Sequence, residues 1–147
     1  MDKDRLFREV GEAILLAQTL ELNISTLISI LNRQFQAGID ERQLILADDR
    51  RTLGQLIREM KKHGDLNQEA TDTLSDALEA RNYVAHHFFI RNVAALSSEV
   101  ACTSALALLD KRTKQIAAGT AVTSGFVQAF CHTFKIKPSD VLFRQDI

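Results

Sequence analysis

The sequence predicts an all-α protein, a bundle of four to five helices in one domain over residues 1–147. Composition points there first: one proline, six glycines and no tryptophan accompany long runs of Leu, Ala, Ile, Glu, Gln, Arg and Lys, most of which lose little on entering a helix. Periodicity points there too, because apolar residues recur at spacings of three and four through most of the chain. No internal repeat, low-complexity segment or glycine-rich phosphate loop interrupts this pattern, and a length of 147 residues is that of a single domain.

The first element is the longest. Val10, Ile14, Ala17, Ile24, Ile28 and Leu31 mark an amphipathic helix from Leu6 to Phe35, which Gly38 is placed to end. Gly38 to Arg51 mixes charges with Leu44, Ile45 and Leu46 and reads as a long connection. Thr52 followed by Gln55 has the form of a capping box opening a short helix, and Gly64 after His63 closes it. A third helix starts near Asn67, follows the stripe Leu74, Ala77, Leu78, Val84, Ala85 and Phe88, and fades near Asn92. Ser97 or Ser98 caps a fourth through Ala101, Ala105, Leu108 and Leu109 to Ala118. Gly119 breaks or bends it, and Val122, Phe126, Ala129 and Phe130 continue the helical pattern to about Phe134. Residues 138–147 form a peripheral tail.

Hydrophobic residues are 46% and charged residues 25% of the chain, with a net charge of −1 and a pI near 6.4. That is the balance of a globular chain, so any nucleic-acid contact must rest on a local basic patch instead of a global field. The charged start MDKDRLFREV and the polar interruptions behind it predict neither a signal peptide nor a membrane span, hence a cytoplasmic protein without a membrane partner. Cys102 and Cys131 read as buried small hydrophobes. Cys131, His132 and His63 make no zinc spacing, no metal or other cofactor is expected, and no nucleophile elbow is present.

The polar residues that break the third helix's pattern are the informative ones. With Arg81 at zero on a helical wheel, Leu74, Leu78, Ala85 and Phe88 fall within about 60° on either side. An arginine on a core face keeps its charge and needs a carboxylate or a route to water. Glu21 occupies an apolar slot of the first helix and is the expected partner. Asn82 and His86 lie about 40° apart, both on the rim of the stripe. Arg81 and His86 are about 140° apart, a gap that a second subunit could close. His87 falls on the other flank, where a packed or solvent-facing role is expected.

Arg81, Asn82 and His86 resemble the signature of the HEPN superfamily, an arginine followed after four to six residues by histidine, often with a polar residue directly after the arginine. Their setting late in an apolar helix, before Phe88 and Phe89 and after a helix beginning TLGQLI, is similar to small HEPN-like bundles from the first helix through the fourth. The resemblance implies a homodimer with two motifs facing across a cleft, and often a metal-independent endoribonuclease. On that reading His86 is the general acid or base, Arg81 steadies the anionic phosphorus centre, and Asn82 orients, with Tyr83 stacking or hydrogen-bonding and Glu21 in support. A toxin, defence or RNA-processing role and a protein regulator or antitoxin are the implied contexts. Members that pair with a nucleotidyltransferase antitoxin carry tyrosine two residues after the histidine, where this chain has Phe88, so that modification is not expected. Many such domains are noncatalytic modules that bind a nucleotide or a protein partner, and the motif alone does not choose between the two.

Arg50, Arg51, Arg58, Lys61 and Lys62 form the densest basic neighbourhood, diluted by Asp48 and Asp49. With Lys111, Arg112 and Lys114 they could guide an RNA backbone if the fold brings them near His86, although a solvated helix face is the better account of such charges.

Overall fold

A computed structural model describes residues 2–45, 50–137 and 139–140. The chain is all-helical, with no strand among the described residues. Its elements are α1 (Lys3–Phe35), α2 (Glu41–Ile45), α3 (Arg50–His63), α4 (Gln68–Asn82), a π turn (Tyr83–His87), α5 (Phe88–Arg91), a 3-10 turn (Val93–Leu96) and α6 (Glu99–Phe134).

α1 and α6, of 33 and 36 residues, are each about 50 Å long at the α-helical rise. α6 packs along both α1 and α4. The buried seam of α1 is Leu6, Val10, Ala13, Ala17, Leu20, Ile24, Leu27 and Leu31, a three-four alternation that keeps one narrow stripe against its neighbours. This shifts the phase expected from the sequence: Ala13 and Leu20 are buried, whereas Ile14 is 39% exposed and Glu21 sits at the seam's edge. By length and composition α1 could also cross a membrane, yet half of the qualifying window is buried inside the bundle.

Asp2 caps α1 by accepting from the Arg5 N–H at 2.9 Å. The left-handed residue that ends the helix is Gln36 (φ 54°), not Gly38. Gly38 (φ 68°) supplies a second left-handed step two residues on, a conformation glycine takes without a Cβ penalty. The Asn32 side chain then holds both backbone groups of Ile39, donating to its carbonyl at 3.0 Å and accepting from its N–H at 2.9 Å. These contacts fold the chain back, so the expected long connection contains α2, whose Glu41 accepts from the Ser25 hydroxyl. Leu46, Asp48 and Asp49 of that stretch lie outside the described residues.

Thr52 and Gln55 do not form a capping box at the start of α3. The helix already includes Arg50, and Thr52 is buried within it, its hydroxyl 3.4 Å from Gln43 Oε1. Gln55 donates to the Ala37 carbonyl at 3.0 Å, so both side chains serve tertiary contacts. Gly64 does close α3, through an N–H bond to Met60. Asn67 caps α4 by accepting from Ala70 N–H at 2.8 Å, and Ser98 caps α6 through Ala101 N–H.

Gly119 does not break α6. An added Cβ there would fall 2.1 Å from Ala77 Cβ, so this glycine lets α4 and α6 approach closely. One turn further on, the Asn23 amide donates to Thr123 Oγ1 at 3.1 Å and Ser124 Oγ at 2.9 Å, fixing the register of α1 against α6. Of the tail from 138 to 147, all but residues 139 and 140 lie outside the described residues.

Candidate functional site

Arg81 sits in the last turn of α4 and is 5% exposed. Its Nε and Nη2 both lie 2.5 Å from Glu21 Oε1, the pairing expected from the sequence. Nη1 donates to Asn82 Oδ1. Burial of a guanidinium is costly unless a carboxylate and further acceptors meet it, and this arrangement supplies both while setting the orientation of Asn82.

The uniform helical wheel fails immediately beyond this point. Tyr83–His87 is a π turn, which closes with one more residue than an α turn. One extra residue holds back everything after it by about 100° relative to an α-helix, so His87 takes the angular place that an unbroken helix gives to His86. The distortion resolves at His87 itself, whose φ of −124° leaves the helical range. Ala85, expected on the core stripe, is exposed, while Val84 and Phe88 are buried.

Beside this segment lies a groove of about 430 Å³ between α3, the α4–α5 segment and α6. Asn82, Tyr83, His87, Arg50, Arg91 and Arg112 line it, with Glu79 as its carboxylate. Arg112 lies over the Tyr83 ring at 4.9 Å, a cation–π contact that orients both groups. The Tyr83 hydroxyl accepts from Asn92 Nδ2 at 2.9 Å, and that amide is also tied to the Phe88 carbonyl. Arg112 Nε is buried with no hydrogen-bond partner among the described residues. Three guanidinium groups against one carboxylate make a cationic surface suited to an anion.

His86 is exposed and does not line this groove. Its ring lies 6.4 Å from that of His87, steeply inclined. The basic residues of α3 divide as well. Arg50 reaches the groove, whereas Arg51 and Arg58 flank a separate depression with Gln43 and Glu59. Lys61 and Lys62 are exposed in the last turn of α3, where positive charge complements the helix dipole. Lys114 pairs with Asp110 at 2.9 Å on the surface, and Lys111 is exposed.

No protein-family model, curated protein or solved structure matches the chain. The site therefore stands on its geometry. Among the described residues no cluster of histidine, cysteine, aspartate and glutamate is arranged to hold a metal ion. Among the groove residues, His87, Arg91 and Glu79 are ones that sequence reasoning left out of the site, whereas Arg112 was named there only as part of a basic neighbourhood. One signal for His87 was present, since Arg81 and His87 also satisfy an arginine-to-histidine spacing of four to six intervening residues. A groove between α1 and α6 carries Glu9, Glu12 and Asp110 beside Arg5, and this acidic lining repels a phosphate backbone.

Proposed function

We propose that this protein is a HEPN-like, metal-independent endoribonuclease. The observation carrying the reading is the cationic groove beside Asn82, in which a histidine, a tyrosine and three arginines line one cleft. The corresponding step is transesterification. A neutral imidazole takes the proton of the ribose 2′-hydroxyl, the 2′-oxygen bonds to phosphorus, and the phosphorus–5′-oxygen bond breaks. The departing 5′-oxygen takes a proton from solvent, to which the imidazolium returns its own. Guanidinium groups stabilise the charge that builds on the phosphoryl oxygens. The products are a 2′,3′-cyclic phosphate and a 5′-hydroxyl, with no further reactant.

A homodimer is the assembly proposed with this activity. Phe7, Ile14, Leu15 and Leu22 leave an exposed apolar stripe along α1, and Ile90 and Val93 are exposed beyond the π turn. Phe7 stands 6.0 Å from Phe89 of the adjoining segment. Apolar exposure of this kind suits self-association, and a second copy could bring its own motif to a shared cleft. The cellular setting proposed with it is cytoplasmic, in a toxin, defence or RNA-processing system under a protein regulator.

The test is cleavage of a mixed-sequence single-stranded RNA in EDTA, with end-group analysis and light scattering for the mass. Cyclic phosphate ends from a dimer support the reading. An intact RNA pool across neutral pH defeats it. A second reading, a noncatalytic dimeric helical module for a protein or nucleotide, is favoured by one observation: Arg81 is buried against Glu21, as a residue fixing helix register would be. A stoichiometric partner covering the groove in the purified complex would select that reading.

A further inference from the structure

Resting on the ribonuclease reading, we infer that single-stranded RNA occupies the groove between α3, α4 and α6 within one subunit, and that His87 is the histidine that meets it. The groove's volume of about 430 Å³ is that of a small-ligand site, large enough for one nucleotide unit and far too small for a duplex. Its charge is cationic overall: Arg50, Arg91 and Arg112 face one carboxylate, Glu79. Among the described residues neither Arg50 nor Arg91 is committed to an ion pair, so both guanidiniums remain available to phosphate oxygens. Arg112 lies over the Tyr83 ring at 4.9 Å and both line the groove, a cationic and aromatic pair of the kind on which a base stacks.

The π turn decides which histidine shares this site. It carries His87 to the face of Asn82; both histidines are exposed, but only His87 lines the groove. Arg81, buried against Glu21, then acts one step back. Its Nη1 bond to Asn82 Oδ1 positions the amide that lines the groove. Substrate charge is therefore met by Arg50, Arg91 and Arg112, while the motif arginine holds the frame.

Two RNAs of identical sequence test this, one with 2′-hydroxyls and one 2′-O-methylated so that it cannot be cut. Binding of the methylated RNA is followed by fluorescence anisotropy over a salt series. Arg91→Ala and Arg112→Gln should each weaken it and lower the salt slope by about one, as the loss of one phosphate contact does. Histidine side-chain NMR with the same RNA should move the His87 resonances much more than those of His86. With the hydroxyl RNA, His87→Ala should slow cleavage by about a hundredfold or more, at least tenfold beyond the effect of His86→Ala. Binding indifferent to both arginines, or a dominant His86 response in shift and cleavage, overturns the inference while leaving the nuclease reading standing. Groove-dependent binding with a His87 shift but no cleavage by wild type supports the groove and defeats the nuclease reading.

Discussion

Gly119→Ala is the most direct probe of how the bundle closes around the site. The new Cβ would lie 2.1 Å from Ala77 Cβ, whereas carbon atoms in good contact stand about 3.5–4.0 Å apart. Both atoms are fixed to helical backbone and neither has a rotamer by which to withdraw, so α4 and α6 must move apart. Overpacking of this kind costs about 1–3 kcal/mol, and the rigidity of the contact places it near the upper end. Alanine's greater helix propensity returns about 1 kcal/mol, leaving a net loss of about 2 kcal/mol. For a chain of this size that lowers Tm by about 4–8 °C. Thermal and urea unfolding followed by circular dichroism measure it. The double variant Gly119→Ala with Ala77→Gly should recover most of the loss relative to the sum of the single changes, a coupling of about 2 kcal/mol. A Gly119→Ala protein as stable as wild type, or strict additivity in the cycle, would refute a close helix approach at this position.

Glu21→Gln keeps the volume of the side chain but removes the charge facing Arg81. Breaking a fully buried pair costs about 3–5 kcal/mol; because Glu21 is 28% exposed and water can partly replace it, about 1–3 kcal/mol is expected in urea unfolding. Replacing both residues by leucine should recover much of that loss, and a double variant no better than the single one would argue against a charge-desolvation origin. Burial pushes the Cys131 thiol pKa up. The folded state thus favours the neutral thiol: its contribution to stability is complete below the ordinary thiol pKa and is lost as pH rises through the raised folded value. Alkylation by iodoacetamide at pH 8, read by mass spectrometry, should be at least about tenfold slower at Cys131 in native protein than in urea, since the thiolate is the reactive form; equal rates would contradict this.

Local signals sufficed at several helix ends, though not at the end of α1, where Gln36 and not Gly38 takes the left-handed turn. The caps at Asn67 and Ser98 form because a side-chain oxygen meets an N–H three residues on, and the stop at Gly64 is equally local. The pairing of Arg81 with Glu21 was legible for a different reason: each is an uncompensated charge on an apolar face, and a desolvated charge must find its opposite. Thr52 and Gln55 were misleading because their polar groups bond to Gln43 and Ala37, partners that exist only once the chain has folded back. Gly119 reads as a breaker in isolation, but its missing Cβ is filled by Ala77 from 42 residues earlier.

The same division runs through the site. Composition and apolar period by themselves determined an all-α bundle, a helix carrying Arg81 to His87, and a buried arginine that needs Glu21, because all of these derive from spacing along one helix and the cost of burying charge. Which histidine shares a face with Asn82 was decided only by the tertiary structure. A uniform wheel assumes a constant turn, whereas the π turn at Tyr83–His87 inserts a residue and re-aims the side chains beyond it. Its surroundings, Tyr83 held by Asn92 and covered by Arg112 of α6, come from segments that local periodicity cannot see.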